Sequence, residues 1–359
     1  MTRKLWFQIA IAVLLSLFII KYVVEVNWIF SPILIVLKTI FIPLLMGGVL
    51  FYIAQPLQSF LEKFKIPRWG SIIIIFLIFT GLIATAVLVV GPPITEQVTR
   101  LAESTPAFIY QSNILILQLV DFLGDMPPWM EDAVNSLKDN LQAFTMQFGK
   151  WTVTLFQSVF QGTLILILTP FFFLFMLKDH EKLVPFVSQF FKGDTKEWVI
   201  KTFKDIDDVL SLYIRGQILI SFILATMLFL GYTLIDLNYA LLLAVFAFAM
   251  NIIPFIGPGI AFIPALLIAL FQNPMLVIAV SIITLVAQQI DAQIITPNIM
   301  GKTLNIHPLT IITILLAAGN IAGFLGILLA VPGYAVGKAI VSNLYERREE
   351  IKKTALKDV

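Results

Sequence analysis

An all-α polytopic membrane protein is the fold class this sequence predicts, and three observations carry that reading. Of 359 residues, 59% are apolar and 13% charged, against roughly 45–50% and about 25% in a soluble domain. The apolar residues gather in long runs, most of which reach the ~20 residues a helix needs to cross ~30 Å of hydrocarbon. None of the runs alternates apolar with polar positions as a membrane β-barrel strand does, and in lipid the backbone must satisfy its own hydrogen bonds. Six to eight transmembrane helices are therefore expected.

The first run, 5–20, comes after Arg3 and Lys4 as a signal peptide would. Lys21, Tyr22 and Glu25 stand where small residues would mark cleavage, so a retained span is predicted. Runs 33–54, 72–90, 152–177, 209–235, 240–271 and 309–342 are each long enough to span, whereas 275–287 alone is short. Lysine and arginine collect at Lys63, Lys65 and Arg68, as six lysines in 178–208, and as six basic residues from Lys338 onward. These segments read as cytoplasmic, with both termini inside. Segment 92–150 has three basic and seven acidic residues and falls on the opposite side. Its Leu115, Leu119, Phe122 and Leu123 recur at helical spacing, predicting short amphipathic helices at the outer membrane surface, divided by Pro127 and Pro128. The chain thus divides into N-terminal spans (1–91), an extracytoplasmic excursion (92–150), a span with a cytoplasmic linker (151–208), a core (209–342) and a charged tail (343–359).

Within 209–337 only Arg215, Asp236, Asp291 and Lys302 are charged. A charge inside a membrane costs at least a few kcal/mol and is partnered or placed beside water. Asp236 reads as a loop residue, and Arg215 either snorkels to the surface or pairs with Asp208. Asp291 lies three residues after Gln288, on one helical face. Together they offer oxygens and an amide for a cation, a proton or a polar solute. The competing reading is an interfacial cap pairing with Lys302 or water.

Two apolar runs are interrupted. Residues 240–253 end at Pro254, Gly257, Pro258 and Gly259; residues 309–318 halt at Gly319, Asn320 and Gly323. Prolines and glycines so dense cannot continue a regular helix. Each break carries an asparagine, Asn251 or Asn320. Paired interruptions of this kind point to a binding site where broken helices expose backbone groups at mid-membrane. Either both interrupted runs cross, giving eight spans, or both re-enter, giving six spans and two hairpins. Gly319, Gly323, Gly326, Ala330, Gly333 and Gly337 also form a stripe of small residues suited to close helix packing.

Other classes are excluded by what is missing. A net charge of +2 provides no basic face for nucleic acid, and with no cysteine there are no disulfides or thiolate sites. Two histidines, His180 and His307, lie far apart in sequence and leave any metal site to be built mainly from carboxylates. No zinc-protease, intramembrane aspartyl-protease or rhomboid-like serine motif occurs, and Thr296 stands where the first glycine of a phosphate loop ending Gly301-Lys302-Thr303 would be. Neither an enzyme activity nor a cofactor is expected.

Tyr213-Ile214-Arg215-Gly216-Gln217, Asn251 through Pro258, Pro297 through Lys302, His307-Pro308-Leu309, and Gly323 through Pro332 succeed one another in an order and spacing that resemble the autoinducer-2 exporter family. The resemblance covers 174–340, and the coarse layout of the N-terminal half fits as well. It implies a multi-span carrier of the bacterial inner membrane, homo-oligomeric and pentameric, exporting an autoinducer-2-like solute or exchanging Na⁺ or Li⁺ for protons. The expected site is Asp291, Gln288, Asn251 and Asn320, with Arg215 in reserve; Pro254, Gly257, Pro258, Gly319 and Gly323 shape the broken backbone. A non-transporting membrane scaffold is the reading from another class.

Overall fold

The computed structural model describes residues 5–123, single positions and short runs between 127 and 154, 163–301, and 306–357. Among the described residues every regular element is helical. They are α1 (Leu5–Glu25), α2 (Asn27–Lys63), α3 (Arg68–Val89), α4 (Gly91–Leu123), α5 (Thr163–Ser188), α6 (Asp194–Leu234), α7 (Ala240–Asn251), α8 (Ile256–Gln272), α9 (Pro274–Ile290), a π-helical turn (Asp291–Ile295), α10 (Thr296–Met300) and α11 (Pro308–Lys357). Among the described residues five segments are long and apolar enough to cross a membrane: Ile35–Lys63, Arg68–Val89, Asp194–Leu234, Pro274–Met300 and Pro308–Arg348. The chain is an all-α polytopic membrane protein.

Two compact units divide the chain. The first takes Met1–Phe51 and Gly162–Lys178. Here Gly47 of α2 meets the backbone of Phe172 and Phe173 on α5, so closely that an added Cβ would stand 2.8 Å from the Phe172 Cβ. A small residue lets the two helices touch, and Phe173 and Leu177 are buried. The second unit takes Tyr52–Gln161 and Asp179–Val359. Its backbone is α6, against which α7, α9, α10 and α11 all pack.

The run 275–287, short as an apolar stretch, gains its length from the two elements after it. The π turn and α10 continue the helical path through Met300, making 27 residues. Asp291 is thus carried inside a candidate span. Lys302, the partner proposed for an interfacial cap there, lies outside the described residues.

The first interruption is a hairpin. Helix α7 has 12 residues and α8 has 17, about 18 and 26 Å at 1.5 Å per residue, so α7 is too short to cross and α8 is at the lower limit. The two pack along each other, and their outer ends meet: the Gln272 side chain accepts from the Asn238 backbone N–H at 2.8 Å and donates to the Asp236 carbonyl at 2.8 Å. The segment therefore leaves and returns at one end of α6, where α4 covers it. Gln97 of α4 accepts from the Leu242 N–H at 2.9 Å, and Phe108 stacks on Phe271 at 5.1 Å. The first part of the excursion is thus a single 33-residue helix docked on the hairpin, not a set of short surface helices. The side chains of Leu115, Leu119, Phe122 and Leu123, and all of Pro128, lie outside the described residues.

The second interruption is a hairpin of opposite direction. Ala322 and Gly323 leave helical geometry, Gly323 at φ +59°, and the chain folds back so that Gly326 reaches the Ala318 carbonyl and Gly319 reaches Ile327. In a straight helix residues eight apart stand ~12 Å away from one another. The returning arm runs antiparallel to α6: Ala330 and Val331 cluster with Tyr213 and Ile220, and farther on Asn343 donates to Asp205 at 2.8 Å while Lys201 pairs with Glu346 at 2.7 Å. This hairpin opens toward the basic end of α6. The fold-back also corrects the packing stripe. Gly319 and Gly326 face each other across the turn instead of lying along one face, and an added Cβ at Gly333 or Gly337 would meet nothing within 4 Å.

Candidate functional site

The two hairpins meet beside Gln217 and Ile220. Ile253, at the tip of the first, is buried against Tyr213, Ile220, Ile311, Leu315 and Met300. The tip is held by Gln217, whose buried amide Nε2 donates to the Asn251 backbone carbonyl at 2.6 Å. That carbonyl sits at the frayed end of α7, where no helical N–H remains to take it. Phe255 comes next at φ +66°, a conformation costly for a bulky residue and found where surrounding structure enforces it. Gly257 does not have a left-handed backbone. It is glycine for space, because a Cβ there would overlap the Met250 carbonyl oxygen and crowd Asn251.

Behind this tip lies a small enclosed cleft of about 10 Å³, enough for one water. Its polar walls are Asn251 of α7, Tyr232 of α6, and Thr284 and Gln288 of α9, with Pro258 of α8 beside them. The Tyr232 and Thr284 hydroxyls hydrogen-bond to each other at 2.9 Å. Asn251 is 4% exposed, and among the described residues its Nδ2 has no hydrogen-bond partner. An unpaired buried amide costs about 1–3 kcal/mol, so this donor favours a hydrogen-bonding occupant in the cleft beside it. Gln288 can both donate and accept. The arrangement suits a small polar solute or a partly dehydrated ion.

The sequence-predicted residues separate accordingly. Asn251, Gln288 and Pro258 come together at the cleft, with Gly257 and Pro254 forming the tip. Asp291 is on the same helix as Gln288 but does not line the cleft; it is half-buried in the π turn and accepts from the Thr296 hydroxyl at 2.8 Å. Single-turn π bulges inside helices are frequent at functional sites. Asn320 is exposed and, among the described residues, donates to the Leu316 carbonyl of its own helix at 3.0 Å. Arg215 does not pair with Asp208. Its Nε donates to the Tyr52 carbonyl at 2.6 Å and its Nη2 to Gln55 Oε1 at 2.7 Å, and Tyr52 in turn donates to Asp207 at 2.9 Å. Gln217, Tyr232 and Thr284 were not foreseen. Thr284 and Gln288 are four apart, so one face of α9 already carried the signal.

Opposed broken helices enclosing a polar cleft in an apolar bundle define a polytopic membrane protein of the transport class. A family model described as AI-2E family transporter matches residues 6–346. Similar proteins include Putative transport protein YueF of Bacillus subtilis (strain 168), 35% identical over 92% of this chain and 91% of the relative. Another from the same organism, Putative transport protein YrrI, is 32% identical over 96% and 97%. Putative permease PerM of Escherichia coli (strain K12) is 27% identical over 83% and 86%. The chain belongs to the AI-2E transporter family and is a membrane transport protein.

Proposed function

We propose that this protein is a secondary transporter that exports a small hydrophilic solute, of the autoinducer-2 kind, from the cytoplasm through the cleft at Asn251. The observation that carries the reading is the buried, unpartnered Asn251 amide, held by Gln217 at the tip of a re-entrant hairpin and facing Gln288. A donor fixed in this way is already oriented for a ligand, so binding need not order it. With room for one water, the cleft is in a closed state, and a shift of the hairpin along α6 would admit a solute. Basic residues gather around the N-terminal half of α6 and the end of α11, which supports a reading of that side and both termini as cytoplasmic, in a bacterial inner membrane. The working form is a homo-oligomer, a pentamer by resemblance.

Exchange of Na⁺ or Li⁺ for protons is the second reading, favoured by Asp291, a carboxylate within a candidate span and one turn from Gln288. Transport by the purified protein in sealed proteoliposomes, with solute, sodium or pH gradients imposed singly, tests both. Flux of a polyol-like solute abolished by Asn251→Leu is expected. Sodium–proton exchange lost in Asp291→Asn while solute flux is absent would favour the antiporter, and no flux under any gradient would favour a scaffold.

A further inference from the structure

We propose that the groove beside Arg215 is a binding site for one anionic phospholipid of the leaflet at the basic end of α6, with the lipid phosphate on the guanidinium and an acyl chain along the groove. The groove of about 330 Å³ is separate from the cleft and is lined by Ile53, Arg215, Ile218, Leu219, Phe222 and Phe248. On α7, Phe248 faces the groove while Ala247 and Asn251 line the cleft. Apart from Arg215 its walls are wholly apolar, and Phe222 is 61% and Leu219 48% exposed.

Charge and depth select the occupant. Between Arg215 and Asp236 the sequence has no charged residue, and the 19 steps from Arg215 to Leu234 rise about 28 Å, close to the ~30 Å of the hydrocarbon core. Arg215 therefore stands where the hydrocarbon ends, at the depth of a lipid phosphate. Ile218, Leu219 and Phe222 run from it toward the membrane interior along one helical face. The guanidinium is anchored to Tyr52 and Gln55 through Nε and Nη2; among the described residues no carboxylate oxygen comes within 4.0 Å of it, and the nearby Asp207 accepts from Tyr52. Among the described residues neither Nη1 hydrogen is engaged, which leaves both for an anion. A fixed cation above an apolar channel matches a phosphate above an acyl chain.

Native mass spectrometry of the full chain, delipidated in detergent and offered phosphatidylglycerol or phosphatidylcholine, tests the site. One phosphatidylglycerol per chain should be retained about five-fold better than phosphatidylcholine, the ratio that one basic contact confers. Arg215→Gln should erase that preference. Leu219→Trp, filling the groove, should lower retention of both lipids at unchanged oligomer mass, and it decides the matter should Arg215→Gln not fold. Equal retention of the two lipids by the native chain, or an undiminished preference in Arg215→Gln, would overturn the proposal. Equal protection by inorganic phosphate alone would make it a soluble-anion site. A changed subunit number in Leu219→Trp with no change in lipid would make the groove an interface between copies.

Discussion

The two hairpins have similar breaks and opposite fates. Each turns where a glycine meets the carbonyl of the opposing arm, Gly257 at Met250 and Gly326 at Ala318. Each has an asparagine near the turn. In the first hairpin, the asparagine is buried, its carbonyl is held by Gln217 and its amide faces Gln288; in the second, Asn320 donates to its own helix, and the tip beside it is exposed, Ile321 at 85% and Phe324 at 58%. The same local chemistry makes a site only where neighbouring helices enclose it. In the second hairpin the built part is the arm, which is fastened along α6 by Asn343 and Glu346, so it serves as the wall against which the first tip rests.

The largest effect should come from filling the first turn. Gly257→Val forces a side chain into the Met250 carbonyl and should destabilise by about 3 kcal/mol and abolish flux, whereas Gly333→Ala, with open space around it, should leave flux intact and stabilise by roughly 0.5–1 kcal/mol through helix propensity. Thermal unfolding in detergent beside proteoliposome flux checks both. Next, Asn251→Leu should stop solute flux with the folded oligomer recovered, and Asn320→Leu should change neither. Gln217→Leu strands the Asn251 carbonyl and should lower stability by about 1–3 kcal/mol, read as a lower melting temperature.

The smallest effect lies away from both hairpins. Arg68 donates to Glu181 at 2.6 Å and holds its carboxyl below the usual carboxylate range. A depressed folded-state value contributes stability above the unfolded pKa and loses it as pH falls through the folded one. With Glu181 64% exposed, the loss should be a few tenths of a kcal/mol. Melting curves of the native chain and Arg68→Gln should therefore converge as the pH is lowered through the acid range.

Much of this was legible in the sequence because its signals are local. Run lengths gave the helices, proline and glycine density gave both breaks, and a polar residue in an apolar run singled out Asn251 and Gln288. Whatever depends on distant partners was not legible. Arg215 meets Tyr52 and Gln55 some 160 positions away, and Gln272 closes the hairpin on residues more than thirty positions earlier. Asp291 follows the end of the apolar run in the sequence, and the π turn that carries the helix on past it is something hydropathy alone cannot register. For Gly257 the sequence marks the position, but the reason for a glycine there, steric room beside the Met250 carbonyl, is revealed only by the opposing arm.

The central claim is that residues 240–272 re-enter, carrying Asn251 to a cleft inside the membrane. Because the native chain has no cysteine, single cysteines at Asn238 and Asn273, both exposed, can be labelled in sealed vesicles with an impermeant maleimide. A hairpin predicts that both react from the same side and that the double variant is joined by a short bismaleimide. Labelling from opposite sides would mean the segment crosses the membrane, and the cleft could not exist as described.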